Sequence, residues 1–267
     1  MIIQGSFSTL YQEAHKMNCM FSMGRWLLLL AISYLLLPAA GSATDDGFRQ
    51  PRLELVEVIQ ADVRRTSRHL DRESLDERVL DVLREVPRHL FVPEGSRAEA
   101  YENRPLAIGH GQTISQPYIE AIMTDLLKPK QGHRVLEVGT GSGYQAAVMA
   151  KLTKEVFSIE IIEPLGVQAS QRLRQLGYDN VQVRIGDGYY GWEQHAPFDA
   201  IIVTAAASHV PPPLVKQLKP GGRMIIPVGS AFMVQQLVLI EKNAAGEVTL
   251  KQILPVRFVP LTGEHGG

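Results

Sequence analysis

Acidic and glycine residues that are suited to bind a nucleotide recur where predicted strands end. The segment EVGTGSG (137–143) lies between a strand and a helix, where glycines let the backbone turn sharply and approach a ligand closely. Glu160 ends the next strand, at the position from which a carboxylate can accept both ribose hydroxyls of an adenosine. Asp187 follows the third strand and could reach an adenine amino group. Together these residues predict a nucleotide site at the strand ends.

The glycine spacing bears on the kind of nucleotide. A dinucleotide fold uses G-x-G-x-x-G, with a pyrophosphate at the helix N-terminus. Here Glu137 precedes Gly139, Gly141 and Gly143 in the pattern E-x-G-x-G-x-G. A carboxylate is unfavourable beside a pyrophosphate but favourable beside the ammonium and sulfonium groups of S-adenosylmethionine, so the pattern favours that ligand. Two alternatives stay open: a dinucleotide site, and a purely structural turn whose neighbouring acids cap helices.

The elements that must position these residues are read from hydrophobic patterning. From Arg134 onward, short apolar runs alternate with helical patterns, which predicts a doubly wound, mostly parallel α/β sheet. Its predicted strands are 134–138, 156–160, 181–185, 198–203 and 223–228, and its helices are 144–153, 163–176 and 211–218. Two further strands, 234–241 and 248–254, predict an antiparallel hairpin at one sheet edge. Upstream, helices are predicted over 52–66, 75–86 and 116–127, with a turn-rich stretch at 88–115.

The N-terminus has a different character. Residues 26–40 form an apolar run that is short for a membrane-spanning helix, which needs about 20 residues, but suits a signal peptide. We therefore expect residues 1–43 to be a leader that is cleaved or kept as an anchor; a misassigned start or a buried helix is the alternative. Residues 44–130 are predicted to be a helical segment that packs on the main domain, and residues 131–267 to be the α/β domain.

Composition excludes several classes of function. The chain has 267 residues, with 27 Lys and Arg against 28 Asp and Glu, so charge gives no reason to expect a nucleic-acid partner. Its one cysteine, Cys19, lies in the leader, which excludes a disulfide framework and a thiolate zinc site in the remainder. The histidines show no metal-ligand spacing, so no metal is predicted. A monomer is the default expectation.

Several segments together resemble one known family. VLEVGTGSGYQAAVMA (135–150) resembles the first motif of protein-L-isoaspartate O-methyltransferases, and RPLAIGHGQTISQPYIEAIMTDLL (104–127) is similar to their substrate and cofactor segment. VPRHLFVPE (86–94), FDAIIVTAAA (198–207) and VRFVPLTG (256–263) are similar as well. The resemblance implies a Rossmann-like class I methyltransferase fold. It also implies methyl transfer from S-adenosylmethionine to the α-carboxylate of L-isoaspartyl residues in damaged proteins and peptides.

The resemblance also assigns residues to roles. Ser115 matches the active-site serine, although its position before a helix equally suits a structural N-cap. The other assigned residues divide between cofactor and substrate: Gln112, Thr113, Ile114, Glu137, Gly139, Gly141, Gly143, Glu160, Asp187, Gly188 and Thr262 for the cofactor, and Ser115, Ala206, Val259 and Pro260 for the substrate. The small residues around Ala206 are also consistent with a close-packed strand end.

Alternatives remain for the methyl acceptor and for the cellular location of the protein. A related S-adenosylmethionine enzyme could act on a small carboxylate or amine while sharing the same cofactor residues. The family and the cytosolic supply of its methyl donor favour a cytoplasmic protein. The apolar run 26–40 favours export or a membrane anchor instead.

Overall fold

The computed structural model describes residues 47–230 and 233–263, so the predicted leader lies outside the described residues. Three helices come first: α1 (Arg49–Arg65), α2 (Ser67–Leu70) and α3 (Glu77–Glu85). One face of α1 is buried through Leu55, Val56, Ile59 and Val63, as its helical periodicity predicts. Across the described ranges, no helix combines the length and apolarity that a bilayer crossing requires.

A seven-stranded sheet forms the centre of the fold. Its strands are β3 (Arg134–Val138), β4 (Glu155–Glu160), β5 (Val181–Ile185), β6 (Phe198–Val203), β7 (Leu218–Val228), β8 (Gln235–Lys242) and β9 (Val248–Val256). They lie in the order β5-β4-β3-β6-β7-β8-β9. Strands β3 to β7 pair in parallel, whereas β7, β8 and β9 pair antiparallel. The predicted doubly wound sheet with an antiparallel edge hairpin is thereby confirmed.

The direction in which strands are added reverses between β3 and β6. The chain places β4 and β5 on one side of β3 and then returns to place β6 on the other. The connecting helices are α5 (Tyr144–Leu152), α6 (Glu163–Gln175) and α7 (Pro212–Gln217). Leu136 and Ile201, paired on β3 and β6, are fully buried, as expected for strands covered on both faces. Ligands of such sheets bind outside the carboxyl ends at this reversal, here beside Gly139 and Thr204.

The turn-rich stretch 88–115 contains a hairpin that the sequence did not predict. Strands β1 (Leu106–Gly109) and β2 (Gln112–Ile114) form a separate antiparallel pair, after which α4 (Pro117–Leu126) begins. Strands of three or four residues are too short to show an alternating pattern, which explains the omission. The prediction for β7 was also short, because the strand starts at Leu218, which pairs with Phe198 ahead of a β-bulge.

Residues 259–262, the C-terminal strip, lie against the carboxyl end of β6. The Ala206 amide donates to the Val259 carbonyl at 2.8 Å, and the Leu261 amide donates to the Ala206 carbonyl at 2.7 Å. These bonds hold the C-terminal strip beside the reversal in strand order. One hydrophobic core joins α1, α4 and α5 through Ile59, Ile122 and Met149. The predicted domain boundary at residues 130 and 131 remains a prediction.

Candidate active site

A cleft of about 730 Å³ opens at the carboxyl ends of β3, β4 and β6, and we call it the strand-end cleft. Most of its lining comes from four segments that are far apart in sequence: 112–115, 138–142, 159–162 and 259–262. The fold therefore assembles one site from the hairpin, the glycine turn, the end of β4 and the C-terminal strip.

The charge of the strand-end cleft selects among nucleotide ligands. Glu120 and Glu160 line it, and none of its described lining residues is a lysine or an arginine. Glu120 is paired with Arg88 behind the wall, but Glu160 has no basic side chain beside it in the cleft, and such an acidic wall disfavours a pyrophosphate and favours a cationic ligand. The side-chain chemistry thus fits the sulfonium and ammonium groups of S-adenosylmethionine, and it speaks against the dinucleotide alternative.

Glu160 connects β4 to the glycine turn. Its Oε2 accepts a hydrogen bond from the Gly141 amide at 2.7 Å, and its Oε1 accepts one from the Ile162 amide at 2.9 Å. Each carboxylate oxygen can accept a further hydrogen bond, so ribose hydroxyls would not displace these contacts. The carboxylate therefore shapes the cleft as well as lining it.

Two glycines of the site leave no room for a side chain. Gly139 has φ +96°, and a Cβ there would lie 2.6 Å from Oγ1 of Thr204. That hydroxyl donates to the Gly139 carbonyl at 2.7 Å and ties the ends of β3 and β6 together. A Cβ on Gly188 would lie 2.3 Å from Cγ1 of Val138. Both positions keep the backbone itself at the surface of the strand-end cleft.

Ser115 lies where the strand-end cleft meets a second cleft of about 950 Å³. Four residues line both clefts: Thr113, Ser115, Thr204 and Val259. The N-cap interpretation of Ser115 is wrong, because α4 has Gln116 at its N-cap position and no capping side chain. Among the described residues, the Ser115 hydroxyl has no hydrogen-bond partner, so it is available to a ligand in either cleft.

Most, but not all, of the residues predicted to bind the cofactor or the substrate line the strand-end cleft. Those that line it are Gln112, Thr113, Ile114, Ser115, Gly139, Gly141, Glu160, Gly188, Val259, Pro260 and Thr262. Four predicted residues do not line it, namely Glu137, Gly143, Asp187 and Ala206. Asp187 accepts from the Tyr189 amide at 2.9 Å and caps a short turn. Gly143 is the N-cap of α5, and Ala206 pairs through its backbone with the C-terminal strip.

Glu137 lies behind the glycine turn, with its side chain fully buried. The Ser158 hydroxyl donates to its Oε2, and the Thr140 hydroxyl lies 2.5 Å from the Ser158 oxygen. Burial, with a smaller contribution from nearby Glu160, raises the pKa of Glu137 to about 8, and the Ser158 hydrogen bond opposes that rise. Instead of facing a ligand, Glu137 supports the turn through Ser158 and Thr140.

The raised pKa of Glu137 makes stability depend on pH. The folded protein holds a proton at Glu137 that the unfolded chain releases above its ordinary pKa of 4.5. This contribution to stability is complete below about pH 4.5 and is lost as pH rises toward 8, because over this range the unfolded chain releases the proton that the folded protein keeps. Glu137→Gln mimics the protonated form. The free energy of unfolding of this variant, measured in urea, should therefore increase relative to that of the wild type between pH 5.5 and 7.5. If the difference between the two proteins stayed constant over this range, the raised pKa of Glu137 would be contradicted.

The lining residues of the strand-end cleft that sequence reasoning missed include three with polar side chains: Glu120, Tyr144 and Gln145. Glu120 offered a signal, since it is an acid within the otherwise largely apolar helix α4. Tyr144 and Gln145 follow the glycine turn directly and resemble ordinary first-turn residues. Within 47–230 and 233–263, no group of three or more His, Cys, Asp or Glu side chains could hold a metal ion.

Known proteins resemble the chain in sequence and in fold. A protein-L-isoaspartate O-methyltransferase 2 of Polaromonas sp. is 68% identical over 211 residues, which is 79% of this chain and 100% of that protein. A protein of the same name from Syntrophobacter fumaroxidans is 59% identical over 91% of this chain and 98% of its own length.

Solved structures with the same family name are similar to the chain in fold. A protein-L-isoaspartate O-methyltransferase superposes with a TM-score of 0.69 at 29% identity, covering 80% of this chain and 67% of its own. A putative enzyme of that kind from Plasmodium falciparum, in complex with S-adenosyl-L-homocysteine, gives 0.63 at 28% identity and covers 79% and 98%.

The doubly wound sheet and its acidic strand-end cleft define a methyltransferase that depends on S-adenosylmethionine. A family model for protein-L-isoaspartate(D-aspartate) O-methyltransferase matches residues 66–266. The chain belongs to this family.

Proposed function

We propose that Ser115, at the junction of the two clefts, carries the repair reaction of the family in this chain. The chain is a protein repair methyltransferase that moves the methyl of S-adenosylmethionine to the α-carboxylate of L-isoaspartyl residues. The observation that carries the residue assignment is the shared wall: Thr113, Ser115, Thr204 and Val259 line both clefts. A donor in one cleft and an acceptor in the other would meet at Ser115.

In this proposal the strand-end cleft holds the cofactor, which supplies a methyl group on a positively charged sulfur. Glu160 holds the ribose, while Asp187 and Gly188 lie on the adenine side. Gly139 and Gly141 admit the cofactor to the backbone. Gln112, Thr113 and Ile114 enclose its methionine end, and Thr262 lies near the cofactor. Glu137 supports this site from behind the glycine turn through Ser158.

The second cleft holds the damaged peptide. A substrate carboxyl group has a pKa near 4 and is already an anionic nucleophile at pH 7, so the protein need not supply a general base. The Ser115 hydroxyl donates a hydrogen bond that orients the carboxylate without neutralising it. Val259 lines both clefts and Pro260 lines the strand-end cleft, and Ala206 holds this strip through backbone bonds to Val259 and Leu261. Placement of the two reactants and exclusion of water are the main contributions of this site.

Two peptides that differ only at one linkage test the acceptor. We expect methyl transfer to a peptide that contains L-isoaspartate and at most background transfer to its L-aspartate twin. The measurement is incorporation of labelled methyl from S-adenosylmethionine, with release of S-adenosylhomocysteine as a second readout. Equal transfer to both peptides, or preference for a free small carboxylate or amine, would overturn the assignment of the acceptor.

We propose a cytoplasmic protein, because the methyl donor is made in the cytosol, and one without a nucleic-acid partner, because the formal net charge is only −1. A monomer is the default expectation. A membrane contact would require that the leader be retained as an anchor. The experiment is mass spectrometry of the N-terminus of the native protein. Cleavage after Ala43 would overturn the cytoplasmic location and indicate export.

A further inference from the structure

We infer that Glu120 accepts the α-ammonium group of the methyl donor, through the carboxylate oxygen that faces away from Arg88. This inference rests on the proposed function, since it assigns a residue within the same cofactor site. Glu120 lies on α4 and lines the strand-end cleft while being 3% exposed. Its sequence signal is limited to its place as an acid in a largely apolar helix, because its partner Arg88 is distant in the chain.

The two oxygens of Glu120 have different surroundings. Its Oε2 accepts from Nη1 of Arg88 at 2.6 Å, in an ion pair whose members are both buried. Its Oε1 accepts no hydrogen bond in the described part of the chain, and it is not one of the enclosed polar atoms that lack a partner. Since Glu120 lines the strand-end cleft, Oε1 is open to that cleft and can take a donor from a ligand.

Arg88 fixes this carboxylate and reaches the catalytic segment. Its guanidinium is fully buried, lies 4.9 Å from the centroid of the Tyr144 ring, and donates from Nη2 to the Ser115 carbonyl at 2.5 Å. One side chain therefore connects Glu120 to the backbone of Ser115. A ligand held by Glu120 would share this rigid support with the residue proposed to orient the acceptor.

Charge indicates which part of the ligand Glu120 contacts. Glu160 is already bound to the Gly141 and Ile162 amides at the far wall, which suits hydroxyl ligands. Glu120 instead lies among Ile114, Ser115, Tyr144 and Gln145, where the family pattern expects the methionine end. Burial raises the pKa of Glu120 to about 7 despite Arg88. A bound ammonium would add a second cation and favour the ionised carboxylate.

Three ligands test the contact by calorimetric titration at pH 8: S-adenosylmethionine, S-adenosylhomocysteine and 5′-methylthioadenosine. The first two carry the α-ammonium group, and the third lacks the whole amino-acid part. In Glu120→Gln, we expect Kd for the first two to rise about 10- to 100-fold, as for loss of a charge-assisted hydrogen bond. Kd for 5′-methylthioadenosine should change less than about 2-fold, because its contacts do not involve the ammonium.

Other outcomes would overturn the inference. Weaker binding of S-adenosylmethionine alone would place Glu120 at the sulfonium instead, and equal weakening of all three ligands would indicate a general structural role. No change for any ligand would remove Glu120 from the site. None of these results depends on methyl transfer, so a failure of the proposed acceptor chemistry would be seen separately in the peptide assay.

Two further variants serve as controls for this titration. Arg88→Met with Glu120→Leu removes both charges, so no lone ion stays buried, and such exchanges are often neutral for stability. This double variant should show the same dependence on the α-ammonium group as Glu120→Gln. Asp81→Asn, an exposed carboxylate on α3 that lies outside the cleft, should bind all three ligands as the wild type does. Thermal unfolding confirms that each variant is folded.

Discussion

Replacing Ser115 with alanine is expected to lower kcat/KM for an isoaspartyl peptide about 100-fold, or roughly 3 kcal/mol, while Kd for S-adenosylmethionine stays the same. The hydroxyl lies where both clefts meet, so its loss should leave the acceptor carboxylate free to rotate away from the methyl group. The measurements are steady-state kinetics with the peptide and a separate titration with the donor.

Ser208→Ala is the matched control for this variant. Ser208 is exposed, and its hydroxyl contacts only His209 among the described hydrogen bonds, so its removal should leave kcat/KM unchanged. Full turnover by Ser115→Ala would remove the proposed role of its hydroxyl. A loss that appears entirely in donor affinity would reassign Ser115 to the cofactor.

The second large effect is expected for Glu160→Gln. An amide has one acceptor oxygen, so it cannot satisfy the Gly141 and Ile162 amides and two ribose hydroxyls as the carboxylate does. Loss of two charge-assisted hydrogen bonds predicts a donor Kd about 100-fold higher or more. Calorimetry with S-adenosylhomocysteine measures this change without turnover.

Glu163→Gln provides the comparison for that variant. Glu163 is an exposed carboxylate in the first turn of α6, three residues beyond Glu160, and it does not line the strand-end cleft. Its neutralisation should leave donor affinity unchanged. If both variants weaken binding equally, the effect of Glu160→Gln comes from net charge near the cleft, and the ribose contact is wrong.

The strands of the central sheet could be predicted because their signal is local. The apolar runs at 134–138, 181–185 and 198–203 are bounded by polar or turn residues, and the observed strands have the same bounds. The small hairpin β1–β2 had no such signal, because each strand is too short for periodicity. Its position beside the glycine turn depends on packing between distant segments.

The candidate site was predictable in part for the same reason. Gly139 and Gly141 follow β3, and Glu160 ends β4; the carboxyl ends of these strands meet at the switch point, so sequence order alone places the three residues together. Glu137 was expected at the ligand and is buried instead, since a strand residue two positions earlier than Gly139 points into the core. The pairing of Arg88 with Glu120 spans separate elements, and sequence shows each charge without its partner.

The backbone bonds between Ala206 and the C-terminal strip have a consequence for the order of synthesis. Residues 259–262 supply one wall of the strand-end cleft, yet they are made after the whole central sheet. A nascent chain that has emerged from the ribosome only through β9 therefore lacks this wall, even if its sheet has formed. Capture of the methyl donor would then await the synthesis and emergence of residues 259–262, even though every strand of the central sheet precedes them in the chain.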